Sequence, residues 1–311
     1  MPRVSLVVDS APPGGMRLDK WLASGKVELT RSRLKNGLLG LTVNGAPSKL
    51  SRSVKSGDVV SVEWEDPANE SLEPEDIPLS ILYEDDNVTV VDKRQGMVTH
   101  PGAGNWSGTL VNALLWHWGI KLEPFEGRNL RPGIVHRLDK DTSGVIITAR
   151  NPVTESYLQD VFKSRRVRKT YLAILVGVPT NREGIIETTL MRDPRNRKRF
   201  TWTDKTDKGK RAKTGYRVLR AWKGFSLVAF RLYTGRTHQL RVHSRFLGCP
   251  ILGDSVYGRR EKSFPAATMM LHAWRLSLIL PGMTEITRFE SPIPERMRDV
   301  IDSLDKARDI T

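Results

Sequence analysis

Apolar positions recur along this chain with two periods. Within residues 16–64, Leu18, Trp21 and Leu22 fall at helical spacing. A second helix is predicted from Thr30, with Leu34 and Leu38 on one face and Gly40 as its stop. A strand at Leu41 and Val43 then leads into an Asn44-Gly45 turn, and Ser56-Gly57-Asp58 turns the chain into a strand over 59–64. Past residue 78 the texture changes. Residues 88–91, 145–148, 171–176 and 225–233 are rich in β-branched and aromatic residues and predict strands, with Lys223-Gly224 as a hairpin turn. Asn151-Pro152 starts a helix with Val153, Tyr157, Leu158, Val161 and Phe162 on its buried face. A further helix is predicted over 237–247, stopped by Gly248 with Pro250 beyond, and a last one from Pro294 buries Met297, Val300, Ile301 and Leu304.

Between the two textures lies an acidic stretch, Glu63, Glu65, Asp66, Glu70, Glu73, Glu75 and Asp76, broken by Pro67, Pro74 and Pro78. Acidic, proline-containing and poor in apolar residues, it reads as a linker. The expected organisation is therefore a module over 1–64, a linker over 65–78 and a larger unit over 79–311.

Charge changes the picture. Lys and Arg number 50 against 35 Asp and Glu, a net charge of +15. This favours a polyanionic partner, nucleic acid ahead of an anionic membrane. No apolar run is long enough to span a bilayer, and the first apolar stretch breaks at Asp9, so neither a membrane span nor a signal-peptide core is expected. A single cysteine, Cys249, excludes an intramolecular disulfide and a cysteine-cluster zinc site, and the cytoplasm is the expected compartment. Arg17, Lys20, Arg31, Arg33 and Lys35 crowd the first module and are candidate RNA contacts, with a solvated helix face as the alternative. Residues 192–220 carry twelve Lys or Arg among 29, interleaved with Phe200 and Trp202, which suits phosphate contact plus base stacking.

The chemistry concentrates in Gly133-Ile134-Val135-His136-Arg137-Leu138-Asp139-Lys140-Asp141-Thr142-Ser143-Gly144. A carboxylate among cationic neighbours is kept ionised and suited to act as nucleophile or base. Asp139, Asp141, Ser143 and Gly144 also occupy positions 1, 3, 5 and 6 of a calcium loop, but position 12 is Arg150, a cation where a bidentate Glu is required. A purely structural turn accounts for Thr142-Ser143-Gly144 but poorly for His136, Arg137 and Lys140 around the carboxylate. No phosphate-binding P-loop, no glycine-rich dinucleotide fingerprint and no zinc deaminase signature is present. His238 and His243 stand five apart, off the spacing of a helical zinc pair, and read as structural or RNA-facing.

The same stretch resembles the active-site motif of the RluA-type RNA pseudouridine synthases. Lys169-Thr170-Tyr171-Leu172-Ala173 is similar to the family's Lys-x-Tyr-x-Ala strand. The run from Thr234 through Gly235, Arg236, Thr237, His238, Gln239, Leu240, Arg241 and Val242 to His243 is similar to its arginine motif. Pro250-Ile251-Leu252-Gly253-Asp254 with Tyr257-Gly258 follows at the family's distance, while Arg94-Gln95 departs from the usual proline-containing pair. The first 64 residues resemble the RNA-binding module of small-subunit ribosomal protein four. The resemblance implies an α+β fold: a mixed, mainly antiparallel central sheet with flanking helices and loops, beside a small N-terminal α/β RNA-binding domain. It implies cofactor-free, metal-free isomerisation of uridine to pseudouridine, with large-subunit ribosomal RNA as partner, the loop of helix 69 as leading target, and a monomer. By the same resemblance Asp139 acts on the ribose, Arg236 pairs with Asp139, Arg241 is the second candidate for that pairing, and Tyr171 stacks on the base and assists removal of its C5 proton. Arg137 fills the gap left by the extruded base, Leu138 lines the pocket, and His136 and Lys169 contact substrate. A catalytically inactive RNA-binding protein and an RNA glycosidase are the alternatives.

Overall fold

The computed structural model describes the chain except residues 1–2, 13, 27–33, 35–37, 65–71, 103–104, 121–130, 197 and 310–311. The described residues form two compact units, the first ending at Glu73 and the second beginning at Pro74. That division falls ahead of the expected boundary at 78. Residues 74–78 belong with the second unit, where the Glu75 carboxylate accepts the Gly108 amide at 3.0 and 3.1 Å.

In the first unit, β1 (Arg3–Val7), β3 (Leu38–Val43), β4 (Ala46–Pro47) and β6 (Val59–Trp64) make an antiparallel sheet in the order β1-β6-β3-β4. β2 (Met16–Arg17) pairs separately with β5 (Ser53–Val54), and α1 (Leu18–Trp21) follows β2. Alternating Val60 and Val62 bury one sheet face against Leu18, Trp21 and Leu22. The expected turn sits at Asn44-Gly45, where both residues take positive φ (53° and 76°) as a two-residue hairpin of this hand requires. The expected helix stop at Gly40 is overturned: Leu38 and Gly40 are strand, paired with Trp64 and Glu63. Lys20 is exposed, whereas Arg31, Arg33 and Lys35 lie outside the described residues.

The second unit is built on a ten-stranded sheet of β7 (Ser80–Glu84), β8 (Val88–Lys93), β9 (Ser143–Ala149), β10 (Arg168–Val176), β11 (Glu183–Arg192), β12 (Phe200–Thr203), β13 (Lys210–Trp222), β14 (Phe225–Leu232), β15 (Leu271–Ile279) and β16 (Ile286–Glu290). The order is β12-β11-β13-β14-β10-β15-β9-β8-β7, with β16 on β15. Helices α2 (Leu110–His117), α3 (Pro152–Lys163), α4 (Gln239–Phe246) and α5 (Glu295–Asp309) complete the α+β architecture. No described helix is long and apolar enough to cross a membrane.

Local signals explain most element ends. The Asn151 side chain accepts the Thr154 amide and caps α3, with Pro152 in the first turn. The helix buries Thr154, Leu158 and Val161 and leaves Val153 81% exposed, so the apolar stripe runs one residue away from the expected start. The basic stretch expected to contact RNA is largely strand: β12 and β13 occupy much of it, and β13 alternates exposed Lys and Arg with buried Ala212, Thr214, Tyr216 and Val218.

Among the described strands, only β9 and β15 pair in parallel, through His272↔Ser143 and Ala273↔Gly144. Gly144 has φ +113°, and a Cβ there would lie 2.2 Å from the Ala273 carbonyl oxygen. Only glycine fits this crossing. The chain leaves the Asp139 loop and enters the sheet at this point, so the glycine fixes where the loop ends.

Candidate active site

The loop carrying Asp139 is pinned by its backbone. Thr99 Oγ1 donates to the Leu138 carbonyl at 2.9 Å, the Gly96 amide to the Lys140 carbonyl at 2.9 Å, and Gln95 Nε2 to the Asp141 carbonyl at 3.0 Å. The Lys93 ammonium is fully buried and donates to the carbonyls of Met97 (2.8 Å), Arg94 (3.0 Å) and Lys140 (3.3 Å). Burial pulls its pKa down to about 8, against the opposing pull of Asp139 and Asp141. Within the loop the Thr142 amide closes a turn on the Asp139 carbonyl at 3.0 Å. Behind it Arg296 of α5 donates to Ser143 Oγ at 2.7 Å, and Ser143 Oγ bonds His272 Nδ1 at 2.9 Å. The 93–99 turn and the last helix thus hold the loop from separate parts of the chain.

The Asp139 side chain, about a quarter exposed, faces a cavity of about 660 Å³ and is the one carboxylate that lines it among the described residues. Arg241 Nη1 stands 4.0 Å from Asp139 Oδ2, and His238 Nε2 stands 3.9 Å from the same oxygen. Arg241 is held in place by a buried two-pronged pair with Asp254, at 2.8 and 2.7 Å. Asp254 Oδ1 also accepts the amides of Val256 and Tyr257 at 2.9 and 3.0 Å. The Tyr257 ring lies under the guanidinium at 5.0 Å, and its hydroxyl bonds His238 Nδ1 at 2.9 Å and accepts the Phe200 amide at 2.7 Å. Burial lowers the His238 pKa, opposed by Asp139 and reinforced by Arg241.

The expected pairing of Arg236 with Asp139 is not the one observed. Arg236 precedes α4, and its Nε donates to the Arg211 carbonyl of β13 at 3.1 Å. Arg241 lies in the first turns of α4, on the buried side, and reaches the carboxylate. His238 adopts a left-handed conformation (φ 56°) at the start of α4, which begins two residues later than expected. Both arginines border the cavity with Asp139, Tyr171, Arg137, Leu138, His136 and Lys169. Tyr171 is buried at a β10 irregularity where register against β15 shifts between Thr170 and Leu172. Burial first, and Asp139 second, push its phenol pKa far up, so the hydroxyl stays protonated.

His136 is not placed as a cationic substrate contact. Its Nε2 accepts the Ile147 amide at 3.1 Å and its ring stacks on Phe162 at 4.5 Å. Burial lowers its pKa to about 3, with Lys169 adding to the effect, so the ring is a neutral wall element. Sequence reasoning left His238, Asp254 and Tyr257 out of the site. The signal for the last two was the Pro250–Asp254 and Tyr257-Gly258 motif, which carried no role until the fold brought it under Arg241.

Similarity to known proteins extends over most of the chain. The family described as RNA pseudouridylate synthase matches residues 87–245. Ribosomal large subunit pseudouridine synthase D of Borreliella burgdorferi is 42% identical over 287 residues, covering 90% of this chain and 87% of that protein. The protein of the same name from Zymomonas mobilis is 40% identical over 295 residues, covering 91% and 92%. The solved structure of human RNA pseudouridylate synthase domain containing 4 superposes with a TM-score of 0.58 at 27% identity, over 73% of this chain and 93% of that one.

Two outcomes follow from the site's electrostatics. Arg241→Met leaves Asp254 buried with only backbone donors and should lower unfolding free energy by about 3–5 kcal/mol in urea titrations. Arg236→Ala, which gives up a half-exposed bond to one carbonyl, should leave the midpoint nearly unchanged; equal losses would make Arg236 the structural cation. The second outcome concerns pH. His243 and His272 are buried and held near pKa 4 by desolvation, and His136 near 3. Each binds its proton more readily when unfolded, near pH 6.5, so their stabilisation is full above that value and is lost as pH falls towards 4. The urea midpoint should therefore drop between pH 7 and pH 5, and a flat midpoint would contradict the burial of neutral imidazoles.

Proposed function

The chain belongs to the RNA pseudouridylate synthase family and isomerises uridine to pseudouridine in RNA, and we propose that Asp139 carries this reaction, on large-subunit ribosomal RNA. The observation behind the proposal is a lone carboxylate on a cavity wall, backed by an arginine that a second, buried carboxylate already holds in place.

In this reading the target uridine leaves its stack and enters the cavity, at a cost of a few kcal/mol that contacts to the RNA backbone offset. Arg137, exposed at the cavity edge, fills the gap in the RNA. The N1–C1′ bond breaks while the Asp139 carboxylate stabilises the ribose, either by attack at C1′ or by assisting elimination. The uracil turns, C5 bonds to C1′, and the C5 proton passes to water while N1 takes up a proton in its place. Leu138 and the Tyr171 ring supply the apolar walls on which the freed base turns. Tyr171, held protonated, offers a hydrogen-bond donor and ring surface and is unsuited to be the base that takes the C5 proton. Arg241 keeps the carboxylate oriented, and the 93–99 turn keeps the loop from retreating.

Ribosomal RNA as the substrate is supported by relatives named for the large ribosomal subunit and by the net charge of +15. The reading places the enzyme in the cytoplasm as a monomer working without a cofactor, with the loop of helix 69 as leading target. Residues up to 64 and the basic face of β12 and β13 are the proposed RNA contacts.

Asp139→Asn keeps the side chain's size and removes its charge. It should abolish pseudouridine formation in ribosomal RNA transcripts while RNA affinity in a filter-binding assay stays within a few-fold of the parent. Turnover retained by the purified variant would remove Asp139 from the chemistry.

A further inference from the structure

The cavity has a second charged feature that the chemistry at C1′ does not use. Lys169 projects into it from β10, two residues and about 7 Å along the strand from Tyr171. Its ammonium stands 5.8 Å from the centre of the Phe162 ring. A Cβ on Gly235 would come within 3.5 Å of it, so glycine there leaves the space before the ammonium open. Among the described residues this ammonium has no hydrogen-bond acceptor and no ion-pair partner. Burial alone lowers its pKa, with no carboxylate acting on it.

A half-buried ammonium has three donors to satisfy, and leaving it unpaired is costly. The neighbouring cavity wall offers it no relief. Lys163 and Arg165 border the cavity from the end of α3 and the turn after it, and Arg236 borders it beside Gly235. None of these three has an ion-pair partner among the described residues. The lone carboxylate among the described residues of the lining, Asp139, faces Arg241 and His238 instead, at 4.0 and 3.9 Å. One part of the cavity therefore holds a carboxylate for the sugar, and another holds cations awaiting an anion.

We propose that Lys169, with Arg236 beside it and Arg165 at the rim, binds a phosphodiester adjoining the target uridine. This rests on the cavity being the uridine pocket. An RNA chain threaded into that pocket must bring its backbone anions inside with the base. A lysine meets them as a compact point charge that tolerates either non-bridging oxygen. The contact fixes how far the nucleotide enters, and with it the distance from Asp139 to C1′.

The test uses the full-length enzyme and a short RNA hairpin centred on the uridine it isomerises, first mapped in ribosomal RNA. The phosphodiesters on either side of that uridine are replaced in turn by neutral methylphosphonates. With the parent enzyme one replacement should lower kcat/KM by about 10- to 100-fold, the range of a charged hydrogen bond. Lys169→Met should lower kcat/KM on the unmodified hairpin by a similar factor and lose sensitivity to that replacement, while Lys169→Arg keeps it. Losses that simply multiply, in a variant whose thermal melt matches the parent, overturn the proposal. So does a parent enzyme indifferent to both replacements, whatever the variants do. Lys169→Gln serves if methionine disturbs packing. Absence of pseudouridine from the parent reaction would remove the uridine reading and this subsite together; pseudouridine with multiplying losses removes the subsite alone.

Discussion

One guanidinium stands between two carboxylates, and the site depends on how unequally it is shared. Arg241 gives Asp254 a short, two-pronged and buried pair, and gives Asp139 a single approach at 4.0 Å. The first interaction satisfies the cation and fixes its position. The second leaves Asp139 an oriented carboxylate with free lone pairs facing the cavity. Had Arg241 been bound to Asp139 as tightly as to Asp254, the carboxylate would be neutralised by its own support. Asp254 in turn is secured by two backbone amides, so the cation cannot follow Asp139 without breaking a buried network.

Backbone constraints do the complementary work. The carbonyls of Leu138, Lys140 and Asp141 all accept bonds from the 93–99 turn, and the loop's exit is fixed by a glycine that crosses a neighbouring strand too closely for any side chain. Gln95 shows how this chain meets the requirement with its own residues. Where the family pattern has a proline-containing pair, the Gln95 amide links the Asp141 carbonyl to that of Met269, and its oxygen accepts from Thr268. Through Gln95 the loop is thus tied to a segment 173 and 174 residues further along the chain from that glutamine.

Much of this was legible because it is local. Gly133 to Gly144 carries its chemistry within twelve letters, and the strand at Tyr171, the cap at Asn151 and the Asn44-Gly45 turn are all set by neighbours in sequence. What could not be read depended on tertiary placement. Arg236 and Arg241 sit in one motif, and only the fold shows that Arg241 lies within the helix on its buried side while Arg236 precedes it. The hairpin turn at Lys223-Gly224 marked the end of β13, but the strand's length was hidden by its own lysines and arginines, although its alternation of exposed and buried positions is a period-two signal. Val153 misled because apolar character at the first turn of a helix does not define the buried face; Thr154, Leu158 and Val161 do. Lys169 was expected to contact substrate, but which group it would meet could not be read from its motif.

The central claim is that a single carboxylate, without an added cofactor, moves uracil from N1 to C5 attachment on the same ribose. Ribosomal RNA transcribed with tritium at C5 of uridine measures this directly. Incubated with the purified protein in plain buffer, it should release tritium to water in step with pseudouridine recovered from nuclease digests, with no free uracil. Release of free uracil, or pseudouridine that appears only when a cofactor is supplied, would contradict the account.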